Sequence, residues 1–231
     1  MSQRISHSLL DPVLTLPMKR WYPWLPLPRQ LPPEAIVLTG HALAIMAAVG
    51  FAFSTQYWWG GLLIALGVAG NHIADVFDGT HARATGQCRN GGELLDHFFD
   101  PLSFAYWLAG LAVSCHQLEM GIAAVICLFA TAVLTNIKAK MIGQFTLNSF
   151  GPTEFKSLLV LYGGAMAWLA TGSAPVAWLT AERVATGFLA ILLAVGVVQL
   201  VVGLVLSVRE VNRQGAPPDT SEWITTRDDG V

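Results

Sequence analysis

Hydrophobic residues along this chain fall in long runs that are separated by short polar connections. Six of the runs have roughly the 20 residues that a helix needs to cross the hydrocarbon layer of a bilayer, which is about 30 Å thick. By residue number they are 35–53, 58–76, 94–115, 120–142, 155–171 and 184–208. The pattern predicts an all-α, polytopic membrane protein with six transmembrane helices.

The chain before the first run has a different character. Within residues 1–33, Trp21 and Trp24 lie among the basic residues Lys19, Arg20 and Arg29, a mixture typical of a segment lying in the membrane interface. Several prolines interrupt any helix there: Pro12, Pro17, Pro23, Pro26 and Pro28. We therefore predict an N-terminal interfacial amphipathic segment (1–33), one six-helix domain (34–208) and a polar, mobile cytoplasmic tail (209–231).

The positive charges predict how the helices are oriented. In a six-pass arrangement the lysines and arginines fall on one side of the membrane, and Arg183 alone falls on the other. Because cationic loops resist translocation, we expect both termini and the loops around 77–93 and 143–153 to be cytoplasmic. The composition agrees with a membrane setting, since 54% of residues are hydrophobic and 12% are charged. A formal net charge of -2 gives no field that would attract nucleic acid.

Four aspartates flank the connection between the second and third runs. Asp75 and Asp78 are three residues apart, and Asp96 and Asp100 are four apart, so each pair projects from one face of its own helix. If the two helices are antiparallel neighbours, the pairs face each other at the membrane surface. Carboxylates gathered so closely repel one another unless cations neutralise them, and oxygen ligands favour hard ions. We expect two divalent cations, Mg²⁺ or Mn²⁺, which clamp a pyrophosphate in other enzymes.

The neighbouring residues suggest chemistry at phosphorus. Asp100 lies one turn deeper than Asp96 and is the candidate general base. Gly79 and Gly92 remove side chains where a backbone must approach a ligand or where helices touch. Arg83 supplies a permanently charged, bidentate phosphate donor. The alternative is an ion pathway in a transporter. It would predict acidic residues near mid-span and broken helices in matching halves, whereas these aspartates lie at helix ends and no repeat is visible.

The combined pattern resembles the signature of the CDP-alcohol phosphotransferase family at every fixed position. It reads Asp75-x-x-Asp78-Gly79-x-x-Ala82-Arg83, eight residues, then Gly92-x-x-x-Asp96-x-x-x-Asp100. The resemblance implies six transmembrane helices, a site at the cytoplasmic face, a homodimer, and two metal ions held by the four aspartates. It also implies Asp100 as base, CMP as leaving group, and a set of nucleotide or phosphate contacts: Asp75, Asp78, Gly79, Ala82, Arg83 and Gly92.

Three stretches resemble the choline and ethanolamine phosphotransferases within that family. They are Gly92-Glu-Leu-Leu-Asp96-His97, Ser8-Leu-Leu-Asp11-Pro12 and Gly151-Pro-Thr-Glu154. This chain is much shorter than those enzymes, and Pro32-Pro33-Glu34-Ala35 replaces their usual Ala-Pro-Asn. The expected reaction transfers a substituted phosphate from a donor such as CDP-choline or CDP-ethanolamine to diacylglycerol. The alternative is that CDP-diacylglycerol donates phosphatidyl to a small polar alcohol.

A cationic acceptor pocket would favour that alternative, because an alcohol phosphate needs cationic partners. The candidates for it are Lys138, Lys140, Lys156 and Arg89.

Four further residues have a structural alternative beside the predicted role. His97 is predicted to be catalytic, assisting the base or binding phosphate, or else it hydrogen-bonds a neighbouring helix. Asn71, Lys138 and Glu154 are possible substrate-binding residues. They would otherwise be, in that order, a helix-packing polar group, a lysine reaching the headgroups, and a charge at a helix N-terminus.

Overall fold

The computed structural model describes residues 3–6, 8–147, 151–172 and 178–215, with residues 217 and 220. These residues form seven α-helices: α1 (Thr15–Trp21), α2 (Pro33–Phe53), α3 (Trp58–Thr85), α4 (Asn90–Ser114), α5 (Leu118–Ile142), α6 (Pro152–Leu169) and α7 (Ala181–Gln214). Each of the six long helices, α2 to α7, covers one predicted apolar run. The predicted positions of these helices are therefore confirmed.

Four of the long helices, α2, α3, α5 and α7, are long and apolar enough to cross a membrane. The other two long helices of the described chain, α4 and α6, are not in that set. They carry the charged residues Asp96, Asp100, Glu154 and Lys156. The membrane character of the protein is thus supported by four candidate spans, and the passage of all six helices through the bilayer stays a prediction.

A short pair of strands lies outside the predicted all-helical fold. Strand β1 (Gln3–Ser6) runs parallel to strand β2 (Gln144–Leu147), with Gln3 opposite Gln144 and Ser6 opposite Leu147. Four residues are too few for an alternating pattern to be recognised in the sequence. The pair holds the start of the chain beside the end of α5.

The helices pack around α2 and α3. Helix α2 packs along both α3 and α4, α6 packs on α3, and α5 packs on α4 and α7. Trp107 is fully buried in the core, where its indole nitrogen donates a hydrogen bond to the Ala44 carbonyl at 2.9 Å. Helices α3 and α4 each pack along α2 rather than along one another, which leaves a cleft between them.

Helices α3 and α6 approach each other closely at two glycines. A Cβ atom added to Gly163 would lie 2.7 Å from the Gly61 carbonyl oxygen and 2.8 Å from the Ala65 nitrogen. Such distances are too short for a methyl group, so the two backbones touch only because no side chain intervenes. The contact determines how near α6 comes to the aspartates of α3.

Gly163→Ala should lower the thermal unfolding temperature of the purified protein by several degrees. The added methyl group forces α3 and α6 apart, at a cost of about 1–3 kcal/mol. The neighbouring Gly164→Ala is a matched control, because a Cβ atom there meets no atom within 4 Å. It should leave the unfolding temperature unchanged or raise it, since alanine is the better helix former. Equal temperatures for the two variants would contradict the close approach of the helices.

The N-terminal segment is a broken helix, as its prolines predicted. Helix α1 is followed by a single 3-10 turn (Tyr22–Trp24), and the side chains of Trp21 and Trp24 are strongly exposed. The fully buried His81 of α3 anchors the segment: its Nε2 donates to the Leu31 carbonyl at 2.9 Å, and its Nδ1 lies 2.8 Å from the Tyr22 hydroxyl. A surface segment is thereby attached to the helix that carries Asp75 and Asp78.

The last helix is longer than predicted. Helix α7 continues through Gln214, beyond the expected end at residue 208. The start of the predicted mobile tail is therefore helical, and most of the remaining tail, 221–231 included, lies outside the described residues.

Candidate functional site

The aspartates of α3 and α4 converge on the cleft between these helices. One carboxylate oxygen from each of Asp75, Asp96 and Asp100 lies within 4.8 Å of the other two. Asp78 is buried in the wall of the same cleft, where its carboxylate accepts a hydrogen bond from the Gly79 backbone. The two pairs meet as the spacing predicted, although α3 and α4 are held together through α2 and not by direct packing.

Helix α2 closes one side of the cleft. The cleft has a volume of about 20 Å³, which is room for a group of the size of a water molecule. Besides the four aspartates, it is lined by Val37, Gly40, His41, Asn71, Ala74, Phe99 and Ser103. The His41 ring lies 4.3 Å from the ring of Phe99 and within 3.4 Å of the Ser103 hydroxyl. The sequence did not predict His41, Phe99 or Ser103 in the site, because helical spacing does not show which helix faces another.

Asn71 adds a buried oxygen atom to the lining of the cleft. Its amide nitrogen donates to the Gly40 carbonyl at 3.1 Å, but its buried Oδ1 has no hydrogen-bond partner among the described residues. A buried polar atom without a partner costs free energy unless a ligand or water satisfies it. An amide oxygen beside three carboxylates is a donor set that hard divalent cations prefer. The residues present therefore fit such an ion.

Lys156 is the site residue that the sequence did not identify as part of the acidic cluster. It is only 1% exposed, and its Nζ lies 2.9 Å from Asp75 Oδ2 and 3.5 Å from Asp100 Oδ1. A signal was present, because a lysine inside an apolar run requires a partner of opposite charge. Helix α6 thus brings an internal cation into the cluster.

The glycines and Arg83 occupy the polar ends of α3 and α4. A Cβ atom on Gly79 would lie 3.2 Å from the Arg83 guanidinium, so this exposed side chain folds back over Gly79. Ala82 lies in the same last turns of α3. A Cβ atom on Gly92 would meet nothing within 4 Å, so no helix packs at that point and space is left beside α4.

Two other predicted residues do not line the cleft. His97 lies one turn after Glu93 on α4, with 3.8 Å between His97 Nε2 and Glu93 Oε1. Lys138 forms an ion pair with Glu210, which ties α5 to α7. The structure does not bring Lys138 to the acidic cluster, whereas His97 belongs to the same helix end as Asp96.

Glu154 contacts the N-terminal segment instead of the cleft. Its Oε1 accepts hydrogen bonds from the Ser8 hydroxyl at 2.6 Å and from the Leu10 nitrogen at 3.0 Å. Its Oε2 accepts from the Gly151 nitrogen at 2.9 Å. Burial raises the pKa of Glu154, but these hydrogen bonds outweigh it and hold the pKa below its usual range.

Asp11 completes the same contact. Its Oδ1 accepts hydrogen bonds from the Thr153 hydroxyl at 2.7 Å and from the Thr15 hydroxyl at 3.0 Å, and its backbone nitrogen donates to the Ser8 hydroxyl. We call Ser8, Asp11, Thr153 and Glu154 the N-terminal clasp. Two of the stretches that resemble choline and ethanolamine phosphotransferases are thus in direct contact with each other.

Comparison with known proteins gives a family match over most of the chain. Residues 31–207 match the profile of the family described as CDP-alcohol phosphatidyltransferase. Phosphatidylinositol phosphate synthase of Mycolicibacterium smegmatis is 32% identical over 114 residues, which are 48% of this chain and 50% of that protein. Human cholinephosphotransferase 1 is 33% identical over 113 residues, 46% of this chain and 27% of that protein. The matched region thus spans half or less of the length of these relatives.

Proposed function

The chain belongs to the CDP-alcohol phosphatidyltransferase family, whose members transfer substituted phosphate groups, and on that basis we propose that it acts in phospholipid synthesis. The proposed reaction transfers a substituted phosphate from a CDP-alcohol, such as CDP-choline or CDP-ethanolamine, to diacylglycerol and releases CMP. The observation that carries the proposal is the convergence of Asp75, Asp96 and Asp100 inside the family signature.

Two divalent cations, Mg²⁺ or Mn²⁺, are proposed to bind between the four aspartates. When bound, such ions neutralise a diphosphate and stabilise in-line displacement at phosphorus. The buried Asn71 Oδ1 beside the carboxylates supports a cation at this position. We assign the nucleotide and phosphate contacts to the aspartates and to the residues around them: Gly79, Ala82, Arg83 and Gly92.

Asp100 is proposed to take the proton from the acceptor. The acceptor hydroxyl oxygen attacks the phosphorus atom that carries the transferred alcohol, and a new oxygen–phosphorus bond forms. The bond from that phosphorus to the bridging oxygen breaks, and the electron pair leaves with CMP. The Asp100 carboxylate accepts the hydroxyl proton. His97, paired with Glu93 on the same helix, is proposed to assist this transfer.

The proposed setting is an integral membrane protein with six passes. Both termini and the active site lie on the cytoplasmic side, and the segment 1–33 lies in the interface. The one-sided distribution of lysine and arginine supports this orientation. The homodimer is proposed from the family resemblance.

The ion pairs made by lysine and arginine side chains favour diacylglycerol as the acceptor. A pocket for an alcohol phosphate needs cations that face the phosphate. Three of the four candidates, however, face carboxylates: Arg89 lies 3.7 Å from Glu34, Lys138 pairs with Glu210, and Lys156 is held by two aspartates. The fourth, Lys140, is exposed in the last turn of α5. The reverse polarity, with CDP-diacylglycerol as donor, is the second candidate because of the similarity to the mycobacterial phosphatidylinositol phosphate synthase.

The reaction is tested by measuring CMP release from purified protein in lipid nanodiscs with Mg²⁺ or Mn²⁺. One arm supplies diacylglycerol with CDP-choline or CDP-ethanolamine, and the other supplies CDP-diacylglycerol with inositol phosphate or glycerol phosphate. We expect metal-dependent CMP release in the first arm. Release in the second arm alone would show that CDP-diacylglycerol is the donor and the polar alcohol the acceptor. No release in either arm, from protein with a sharp thermal unfolding transition, would contradict an enzymatic role.

A further inference from the structure

The N-terminal clasp lies at the first turn of α6, directly before the lysine of the acidic cluster. Ser8 and Glu154 are 146 residues apart in the chain, yet their side chains form a hydrogen bond of 2.6 Å. Asp11 and Thr153 form a second bond of this kind at 2.7 Å. Two side chains from the N-terminal segment therefore hold two consecutive residues of α6.

These contacts fix a part of a helix that is otherwise prone to fray. The first backbone N–H groups of a helix have no partners within the helix, so its first turn opens readily. In α6, Glu154 Oε2 accepts from the Gly151 nitrogen, while its Oε1 is held by Ser8 and Leu10. Hydrogen bonds to an ionised carboxylate are stronger than those between neutral groups. The clasp thus adds contacts from the N-terminal segment to the first turn of α6, which already begins with Pro152 and the bond between Gly151 and Glu154.

The position of the Lys156 side chain depends on the first turn of α6. Residues two apart on an α-helix point about 200° away from each other. The first turn of α6 accordingly lies between the N-terminal segment, which Glu154 contacts, and the acidic cluster, which Lys156 enters. The lysine stem is flexible, so the position of its ammonium group is determined by its burial and its two ion pairs together with the place of the backbone.

We propose that the N-terminal clasp is a positioning device for the acidic site. Ser8 and Asp11 fix the first turn of α6 and thereby hold the Lys156 ammonium between Asp75 and Asp100. Glu154, which the sequence suggested as a substrate-binding residue, is in this view a positioning residue. The clasp itself does not require the proposed metal site; the second test below rests on that site.

The first test measures how fast an amine-acylating reagent modifies each lysine of the metal-free protein, by mass spectrometry of its peptides. In the wild type, buried Lys156 should react more slowly than exposed Lys19 by about tenfold or more, since its reaction requires local opening. Ser8→Ala should raise the rate at Lys156 several-fold, and Ser8→Thr, which keeps the hydroxyl group, should restore protection. Lys138 is the internal control because its ion pair lies outside the clasp.

Three results of this labelling would overturn the proposal. Unchanged protection of Lys156 in Ser8→Ala would show that the clasp does not position the lysine. An equal rise in Ser8→Thr would show that the hydroxyl group is not responsible. A parallel rise at Lys138 would show that Ser8 stabilises the fold as a whole and does not position Lys156 in particular.

The second test measures Mn²⁺ binding by electron paramagnetic resonance. Lys156→Met removes a positive charge beside the ligands and should tighten Mn²⁺ binding by about tenfold. Ser8→Ala should tighten it by a smaller factor, and the double variant should bind no more tightly than Lys156→Met alone. Independent, multiplying effects would show that the clasp does not act through Lys156. If wild-type protein binds no Mn²⁺, the metal proposal fails, and the labelling result still decides the role of the clasp.

Discussion

Replacing Asp100 by Asn should abolish CMP release while nucleotide binding is retained. The amide keeps an oxygen atom that can face a cation, unlike an alanine, but it cannot accept the hydroxyl proton, and a general base contributes about 10²–10⁴-fold to a rate. Lys156 keeps its shorter contact, the one of 2.9 Å to Asp75, so the buried ammonium still has a partner in this variant. The measurements are initial rates of CMP release and calorimetric titration with the CDP-alcohol.

Glu119→Gln is the matched control for this variant. Glu119 lies in the first turn of α5 and is exposed, so the substitution removes one carboxylate charge without touching the cleft. It should release CMP at the wild-type rate. Wild-type turnover of Asp100→Asn would exclude Asp100 as the base. Loss of nucleotide binding would instead identify its main role as that of a metal ligand.

Asp75→Ala and Asp96→Ala should lose metal-dependent nucleotide binding. Each substitution removes one of the three carboxylates that lie within 4.8 Å of one another. Cation affinity depends steeply on the number of charged ligands, so we expect Mn²⁺ to bind weaker by about 100-fold or more. Asp75→Ala also takes away the nearest partner of the Lys156 ammonium. Titration with CDP-alcohol, in the presence of Mn²⁺ and then of a chelator, measures the effect.

Loss of binding is informative only if the variants remain folded. Thermal unfolding of each variant, with Glu119→Ala as control, separates a damaged site from a damaged fold. A folded Asp75→Ala protein with wild-type, chelator-sensitive nucleotide affinity would contradict the two-metal proposal.

The positions of the long helices along the chain followed from the apolar runs. A run of about 20 apolar residues can satisfy its backbone in a bilayer only as a helix, so the positions of α2 to α7 were predictable. The convergence of Asp75, Asp96 and Asp100 was predictable as well, because residues three or four apart share a helix face.

The contacts between distant parts of the chain could not be predicted in the same way. Helical spacing shows which side chains share a face, but it does not show which other helix that face meets. From the sequence, Lys156 was therefore only a candidate for a cationic acceptor pocket, and Ser8 was only part of a resemblance. Their partners, Asp75 and Glu154, lie 81 and 146 residues away along the chain.

The buried lysine has a consequence for how the protein is made. Helices α4 and α6, which are not in the set apolar enough to cross a membrane alone, carry opposite charges of one cluster. A lone lysine costs about 3 kcal/mol at the centre of a bilayer and less towards its surface, and a carboxylate partner offsets part of that cost. Asp75 and Asp100 are synthesised before Lys156, so both partners are in place when α6 emerges from the ribosome. In the proposed six-pass arrangement, α6 therefore follows α3 and α4 into the bilayer, where the ion pairs with Asp75 and Asp100 offset part of the cost of Lys156.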